Sequence, residues 1–356
     1  MSPSTNPPFA ISVHARTLKA GDLCYATQDA TGNISTLSPV MISRKLYSKS
    51  PLELLPKSLR PASSIDELSM ADRVFGWVSQ DDDQAGGEKT AALKSHVRFG
   101  TVTCLDHSDA IEEFDPPKIL AILGQPKLQQ GRFYVGNSEG KAQQNAGAKD
   151  KAGYSKGNRM RGPKVYPHHA QGPTESSFSQ VPSNQNRSIK SWVKPETEFA
   201  FDIQFSNLSR VELGAIFWLL TLPREHYFRF GLGKPLGFGS VSLSIASTDD
   251  KLDIVVADGQ GWIESLKKWH GTPTAISADD IKRMVGEFES TVASLNANLL
   301  KSFLQSARGF GELPIHYPSL PGFDGEHFRW FGDNEKKGKH SLPDLTSDVS
   351  LPNDPI

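Results

Sequence analysis

A nine-residue glycine-rich stretch, GLGKPLGFG at 231–239, carries the clearest chemical signal in the sequence. Glycine reaches backbone conformations that other residues avoid, and a run of glycines leaves N–H groups open to an anion. Lys234, at the centre, adds a positive charge. The stretch therefore predicts contact with a phosphate or a ribose, the alternative being a tight loop that only packs against its neighbours. Its glycines are Gly231, Gly233, Gly237 and Gly239.

The spacing of these glycines differs from that of two well-known phosphate-binding loops. A dinucleotide-binding fingerprint has the pattern GxGxxG between a strand and a helix, whereas this chain has GxGxxxGxG. A Walker A loop needs Ser or Thr after its Gly-Lys pair, and Pro235 holds that position here. Neither motif therefore accounts for the stretch.

A basic stretch at 118–194 is a second source of phosphate contacts, unless it is only a solvated loop. It holds 13 lysines and arginines against three acids, although the whole chain has a net charge of −1. This segregation creates a local positive field. Residues 136–162 contain few apolar side chains, so we expect them to be mobile without a ligand. The basic candidates for phosphate contacts are Lys141, Lys149, Lys151, Lys156, Arg159, Arg161 and Lys164. Nearby aromatic residues either stack on bases or belong to the core; they are Tyr154, Tyr166 and Trp192.

Two adjacent histidines, His168 and His169, lie in this basic stretch. Imidazoles suit general acid–base catalysis on a ribose 2′-hydroxyl. The favoured interpretation is instead a pair of loop residues that contact RNA or backbone. The sequence lacks the HxxxH and HExxH spacings that would predict a zinc site. Its two cysteines are too few for a disulfide scaffold.

The elements around the glycine stretch predict an α+β fold. Residues 197–205 alternate as a half-buried strand, Ser209 and Glu212 form a capping box for a helix to residue 220, and a strand follows at 241–245. A strand, a helix and a returning strand make half of a ferredoxin-like unit. The predicted organisation is 1–250 as the ferredoxin-like domain with a mobile basic insertion at about 136–190, 251–335 as a helical extension with an aromatic strap, and 336–356 as a disordered tail.

Composition limits the cellular setting. The 356 residues contain no run of about 18 apolar residues that could span a membrane, and the first ten residues lack the pattern of a signal peptide. We therefore expect a soluble, cytoplasmic protein.

Several short motifs, in order, resemble those of the RAMP superfamily of CRISPR-associated RNA-binding proteins, over about residues 20–332. Residues 71–77, ADRVFGW, are similar to a segment that ends in Leu-Phe-Gly in that superfamily. Residues 161–169, RGPKVYPHH, match the RGxKxYxHH pattern of one subgroup, as do PIHYP at 314–318 and FRW at 328–330. The glycine stretch occupies the position of the glycine-rich loop of its RRM-like fold. One departure is at 56–60, where PKSLR only faintly echoes a family segment, so the first part of the fold could be missing and supplied by a partner.

The resemblance implies a guide-RNA-binding subunit of a type III-like effector, which works with target RNA and other effector subunits. It implies RNA binding by the glycine stretch, Lys234, Lys156, Arg159, Arg161, Lys164 and Tyr166, with no cofactor needed for binding. Related subunits cleave target RNA with an acidic loop residue and a divalent cation such as Mg²⁺, for which chain position offers Asp22 and Asp72, each equally a turn or cap residue. The alternatives are an endoribonuclease that matures the guide precursor, which would act alone, and a stand-alone module that binds single-stranded RNA.

Overall fold

The computed structural model describes residues 18–40, 47–79, 91–106, 109–123, 130–143, 151–169, 172–248, 251–252, 254–256, 274–310 and 329–344. The chain divides into two units, Met1–Lys49 and Ser50–Ile356. Within the described ranges, no helix has both the length and the apolar character needed to cross a bilayer.

The helices are α1 (Pro51–Leu54), α2 (Met70–Phe75), α3 (Arg210–Leu220), α4 (Ala278–Asn296), α5 (Asn298–Ala307) and α6 (Arg329–Asp333). The strands are β1 (Cys24–Gln28), β2 (Ile34–Pro39), β3 (Trp77–Val78), β4 (Ala92–Leu93), β5 (Val97–Phe99), β6 (Thr103–Cys104), β7 (Ile111–Ile119), β8 (Val135–Gly136), β9 (Arg159–Met160), β10 (His168–His169), β11 (Ser188–Val193), β12 (Phe199–Ala200), β13 (Ile203–Phe205), β14 (Phe228–Arg229), β15 (Ser240–Val241), β16 (Ser247–Thr248), β17 (Lys251–Leu252), β18 (Val255–Val256), β19 (Thr274–Ala275) and β20 (Gly309–Phe310).

In the described part of the smaller unit, β1 pairs with β2 as an antiparallel hairpin. The Asp29 carboxylate closes its turn by accepting hydrogen bonds from the backbone N–H groups of Thr31 and Asn33. Before the hairpin, the Asp22 N–H donates to the Lys19 carbonyl at 3.0 Å. This turn is the one that the Gly-Asp pair at 21–22 predicts.

A long antiparallel ribbon organises the larger unit. Its ladders are β5–β13, β6–β12 and β7–β11, and backbone hydrogen bonds between the ladders join them into one ribbon of 96–119 against 188–206. The joining bonds are Gly100 N to Asp202 O at 2.8 Å, Leu105 N to Glu198 O at 2.9 Å, Lys194 N to Ala110 O at 2.9 Å and Ser206 N to His96 O at 2.9 Å. The ribbon therefore brings together the two ends of the intervening segment 120–187, called here the insert.

The insert has a hydrophobic core of its own, to which the C-terminal segment contributes. Phe133 packs against Trp330 and Phe331, and the Trp330 side chain is 0% exposed. The buried Arg132 guanidinium pairs with Glu335 at 3.2 Å. The mobility predicted for residues 136–190 stays a prediction. Within the tail that the sequence predicts to be disordered, the Ser341 hydroxyl donates to the Gln143 carbonyl at 2.9 Å and Asp344 pairs with Arg161. The disorder of that tail stays a prediction too.

Two helices form the other core of this unit. Ser209 and Glu212 make the predicted capping box, and α3 begins at the predicted position. Helix α3 packs so closely on α4 that a Cβ at Gly214 would lie 2.2 Å from the Met284 carbonyl oxygen. Within the predicted helical extension, residues 278–307 form two helices, α4 and α5, which meet at Ala297.

The predicted α+β class is confirmed. The described strands form small sheets of two strands each, antiparallel except for β10–β20, and no ferredoxin-like sheet is seen among them. The strand after the glycine stretch covers only Ser240–Val241 and pairs with β14 just before that stretch, so these residues form a hairpin.

Candidate functional site

The glycine stretch forms the tip of a hairpin, called here the glycine hairpin and defined as residues 228–241. Strands β14 and β15 form its base, and the Phe230 N–H donates to the Gly239 carbonyl at 2.8 Å. A single 3-10 turn, Lys234–Leu236, lies at the tip between Gly233 and Gly237. Both glycines have left-handed φ values, 71° and 93°, which other residues adopt only with strain.

Close approach explains three of the four glycines. A Cβ at Gly239 would lie 1.8 Å from the Phe230 carbonyl oxygen, one at Gly237 would lie 2.6 Å from the Gly172 carbonyl oxygen, and one at Gly233 would lie 2.8 Å from the Phe238 ring. At Gly231, by contrast, a Cβ would meet nothing within 4 Å. The packing alternative therefore accounts for Gly233, Gly237 and Gly239, while Gly231 faces open space.

The outgoing half presents two apolar side chains that the sequence analysis did not select. Phe230 is 69% exposed and Leu232 is 93% exposed. Lys234 follows them and makes no ion pair with any residue in the described ranges. Apolar residues this exposed at the tip of a tight hairpin are the available signal for contact with a ligand.

His168 fastens the base of the hairpin. Its Nε2–H donates to the Tyr227 carbonyl at 3.0 Å, and its Nδ1 accepts from the Ser240 hydroxyl at 2.7 Å. Burial, and then the positive charge of Arg229, lower the pKa of His168 from 6.5 to about 4. The imidazole is therefore neutral at pH 7, and both of its nitrogens are engaged by protein groups.

Residues 164–169 lie alongside the hairpin. The Arg229 guanidinium donates to the carbonyl oxygens of Tyr166 and Ser306, and burial lowers the pKa of Arg229. The Lys164 ammonium lies 5.0 Å from the centre of the Tyr166 ring. His169 reaches the same place, since its Nδ1 lies 2.9 Å from where a Gly237 Cβ would be. The structure therefore brings Lys164, Tyr166 and both histidines to the glycine hairpin.

The other basic candidates have different surroundings. Lys156 and Arg159 are exposed. Arg161 is not, because its guanidinium donates to the Leu342 carbonyl at 2.6 Å and pairs with Asp344. Tyr154 is buried, so its ring has no face open to a base. Lys149 lies outside the described residues.

The two acidic candidates have local structural partners. Asp22 lies in the smaller unit, where its carboxylate accepts from the Lys19 N–H at 2.8 Å. Asp72 is the third residue of α2 and completes its capping box, because the Asp72 carboxylate accepts hydrogen bonds from the N–H and the hydroxyl of Ser69. Over the ranges that the structure describes, no three His, Cys, Asp or Glu side chains are grouped so that they could hold a metal ion.

An aromatic cluster flanks the hairpin on the side of the ribbon. Phe238, from the hairpin, lies 5.8 Å from the ring of Trp192, which in turn makes an edge contact with Phe114 at 4.6 Å. Phe178 completes the set, and the Lys118 ammonium lies 3.9 Å from the Phe114 ring centre and 4.4 Å from that of Trp192. All five side chains are half-buried. Sequence reasoning considered only Trp192, because the other rings come from segments distant along the chain.

No protein-family model matches this chain, and no curated protein matches it either. Function must therefore be argued from the hairpin, the aromatic cluster and the charges around them.

Proposed function

We propose that this chain binds single-stranded RNA through the glycine hairpin, as a guide-binding subunit of a type III-like CRISPR ribonucleoprotein. The partners in this proposal are the guide RNA, the target RNA and other effector subunits in the cytoplasm. A RAMP-type, ferredoxin-like origin of the fold belongs to the same proposal. The observation that carries it is the exposed pair Phe230 and Leu232 on a backbone of glycines, followed by the half-buried Lys234.

The tip combines the two groups that bind a single strand without reading its sequence. An exposed aromatic face stacks on an unpaired base, and an ammonium group pairs with the adjacent phosphate. Phe230 supplies the first group and Lys234 the second. A duplex hides its base faces, so this combination favours single-stranded RNA.

The neighbouring surface extends the same chemistry. Lys164 and Tyr166 lie beside the base of the hairpin, and the aromatic cluster with Lys118 flanks it. A lysine held over aromatic rings keeps its positive charge at the edge of an apolar surface. This arrangement supports a path for a strand along the hairpin rather than a single contact at the tip.

The nuclease alternatives receive less support. A general base needs a ring nitrogen within reach of the substrate hydroxyl, and both nitrogens of His168 are already hydrogen bonded to the hairpin. The nearby positive charge of Arg229 also disfavours protonation of His168. Cleavage with Mg²⁺ would require an acidic residue whose carboxylate binds the cation. The Asp72 carboxylate instead accepts hydrogen bonds from Ser69 in the cap of α2. Binding is therefore the function that we propose.

The test is fluorescence anisotropy with a labelled oligouridylate at low salt. Removing one stacked ring costs about 1–3 kcal/mol per base, so we expect Phe230→Ala to weaken binding roughly 5- to 150-fold. Lys234→Gln should weaken it and flatten the dependence on salt, since one phosphate contact is lost. The matched controls on the exposed helix surface are Leu295→Ala and Lys301→Gln. Equal affinities for the hairpin variants and the controls would contradict the proposal.

The guide-binding part of the proposal has its own experiment. The chain, purified with the products of adjacent genes, should retain short RNAs that share a constant end. Phe230→Ala should reduce the amount of RNA retained, while the circular dichroism spectrum stays native. Recovery of random cellular RNA would contradict a role in a CRISPR effector and leave only a general RNA-binding module.

A further inference from the structure

A polar cavity lies at the end of the ribbon where β5 and β13 pair. Lys94, His96 and Arg98 line it from β5 and the segment before that strand, and Gln204, Ser206 and Asn207 line it from β13 and the residues that follow it. The proposed function makes no use of these residues. The cavity is open to solvent, so a ligand can reach it without any rearrangement of the fold.

Backbone pairing places these groups at one end of the ribbon. Arg98 lies on β5, and Lys94 and His96 lie in the segment that joins β4 to β5. Across the ribbon, Arg98 is paired with Gln204, and the His96 carbonyl accepts from the Ser206 N–H at 2.9 Å. The cavity thus combines three basic side chains with an amide and a hydroxyl that can also donate hydrogen bonds.

The charges of the cavity are not neutralised from within the described structure. Lys94, His96 and Arg98 make no ion pair with any described residue. The Glu212 carboxylate is close enough for His96 to lower its pKa. Glu212 is itself held by the Ser209 hydroxyl at 2.8 Å and by Arg73 at 2.9 Å. The balance of charge at the cavity is therefore positive.

The walls of the cavity are fixed by the backbone. The Ser95 hydroxyl donates to the Val97 carbonyl at 2.7 Å, and the His96 N–H donates to the Val74 carbonyl at 2.9 Å. At the end of α2, a Cβ on Gly76 would lie 2.8 Å from the Ser95 nitrogen. Contacts this close hold residues 94–98 in one conformation, which is the condition for a preorganised site.

We propose that this cavity binds a phosphate group of single-stranded RNA. Two cationic side chains, Lys94 and Arg98, together with the His96 imidazole and further hydrogen-bond donors match the charge and the oxygens of a phosphate, and the planar guanidinium of Arg98 can donate two parallel hydrogen bonds to it. The proposal rests on RNA being the ligand of the chain. The phosphate is either the monoester at a 5′ end or a diester within the strand.

The experiment uses the full chain and two labelled hexauridylates, one with a 5′-phosphate and one with a 5′-hydroxyl. Arg98→Gln and Lys94→Gln are compared with Lys301→Gln, which removes the same charge from α5. Inorganic pyrophosphate serves as a competitor and, observed by phosphorus NMR, as a direct probe of the cavity. We expect Arg98→Gln to weaken RNA binding at least tenfold, since a hydrogen bond to a charged group contributes about 1.5–3 kcal/mol. Lys301→Gln should have no effect.

The two RNAs distinguish the sources of the phosphate. If Arg98→Gln loses affinity only for the 5′-phosphorylated RNA, the cavity binds a terminal monoester. If it loses affinity equally for both RNAs, the cavity binds an internal diester. Wild-type affinity of Arg98→Gln for both RNAs, with Phe230→Ala still impaired, would overturn this inference and leave the proposed function intact. A third outcome is that the wild type broadens the pyrophosphate signals, Arg98→Gln does not, and neither protein binds RNA. This result would support an anion site in the cavity and refute the proposed function. No effect of the wild type on pyrophosphate or on RNA would refute both.

Discussion

Acidification should lower the stability of the fold through a single imidazole, that of His168. The unfolded chain binds a proton at His168 near the ordinary pKa of 6.5, whereas the folded chain binds it only near 4. Between these values the unfolded state holds more protons, so the free energy of unfolding falls as the pH falls. The full difference corresponds to about 3 kcal/mol, and about 2 kcal/mol of it is already lost at pH 5.

Urea unfolding, followed by tryptophan fluorescence at pH 7.5, 6 and 5, measures this loss. Carboxylates also titrate on acidification, so the quantity of interest is the difference between the wild type and His168→Gln. Gln keeps a donor and an acceptor but takes up no proton. The wild type should lose about 2 kcal/mol more than this variant between pH 7.5 and pH 5. His226→Gln, which removes an imidazole from outside this contact, should retain the pH dependence of the wild type.

Equal losses for the wild type and His168→Gln would refute the reasoning. Such a result would mean that His168 is as easily protonated in the folded chain as in the unfolded one. The hydrogen bonds to Tyr227 and Ser240 would then not hold His168 in its neutral form. The main argument against acid–base catalysis by His168 would be lost.

Three further substitutions test the packing around the site. Gly214→Ala should lower the urea midpoint, because a Cβ 2.2 Å from the Met284 carbonyl oxygen costs about 1–3 kcal/mol, more than the roughly 1 kcal/mol that Ala gains in a helix. Trp330→Ala should lower the free energy of unfolding by about 3–5 kcal/mol, since the side chain is wholly buried, and thermal unfolding will show it. Burial raises the pKa of Glu212, but hydrogen bonds from its cap and the charge of Arg73 outweigh it and lower the pKa overall. Glu212→Gln should therefore cost about 1–3 kcal/mol at pH 7 and reduce the loss seen on acidification to pH 4, both measured in urea.

Local patterns predicted the elements that depend on neighbouring residues. The capping box of α3 follows from Ser209 with an acid three residues later, and this helix begins as predicted. The glycine pattern likewise marked a special backbone at 231–239, where left-handed φ values occur at all four glycines.

The sequence could not reveal contacts between distant segments. The insert contains few apolar residues, yet Phe133 is buried because Trp330 and Phe331 arrive from the C-terminal segment. Arg161 belongs to the predicted basic path, but its charge is used by Asp344. The favoured interpretation of the histidines was contact with RNA or backbone, and for His168 the structure shows hydrogen bonds to the hairpin. Each outcome depends on tertiary packing, which no local periodicity encodes.

The ribbon also orders the events of folding. At the end near the insert, Ser188 pairs with Ile119, while at the far end Phe205 pairs with Val97, so every pair must close a long stretch of chain. If the far end of the ribbon paired first, it would join residues on the order of 100 positions apart. If the end next to the insert pairs first, each later pair forms beside one that already exists. We therefore expect the strands to zip outward from the insert. The cavity around Arg98 forms last, and any slowing of insert folding delays the appearance of a site at the opposite end of the ribbon.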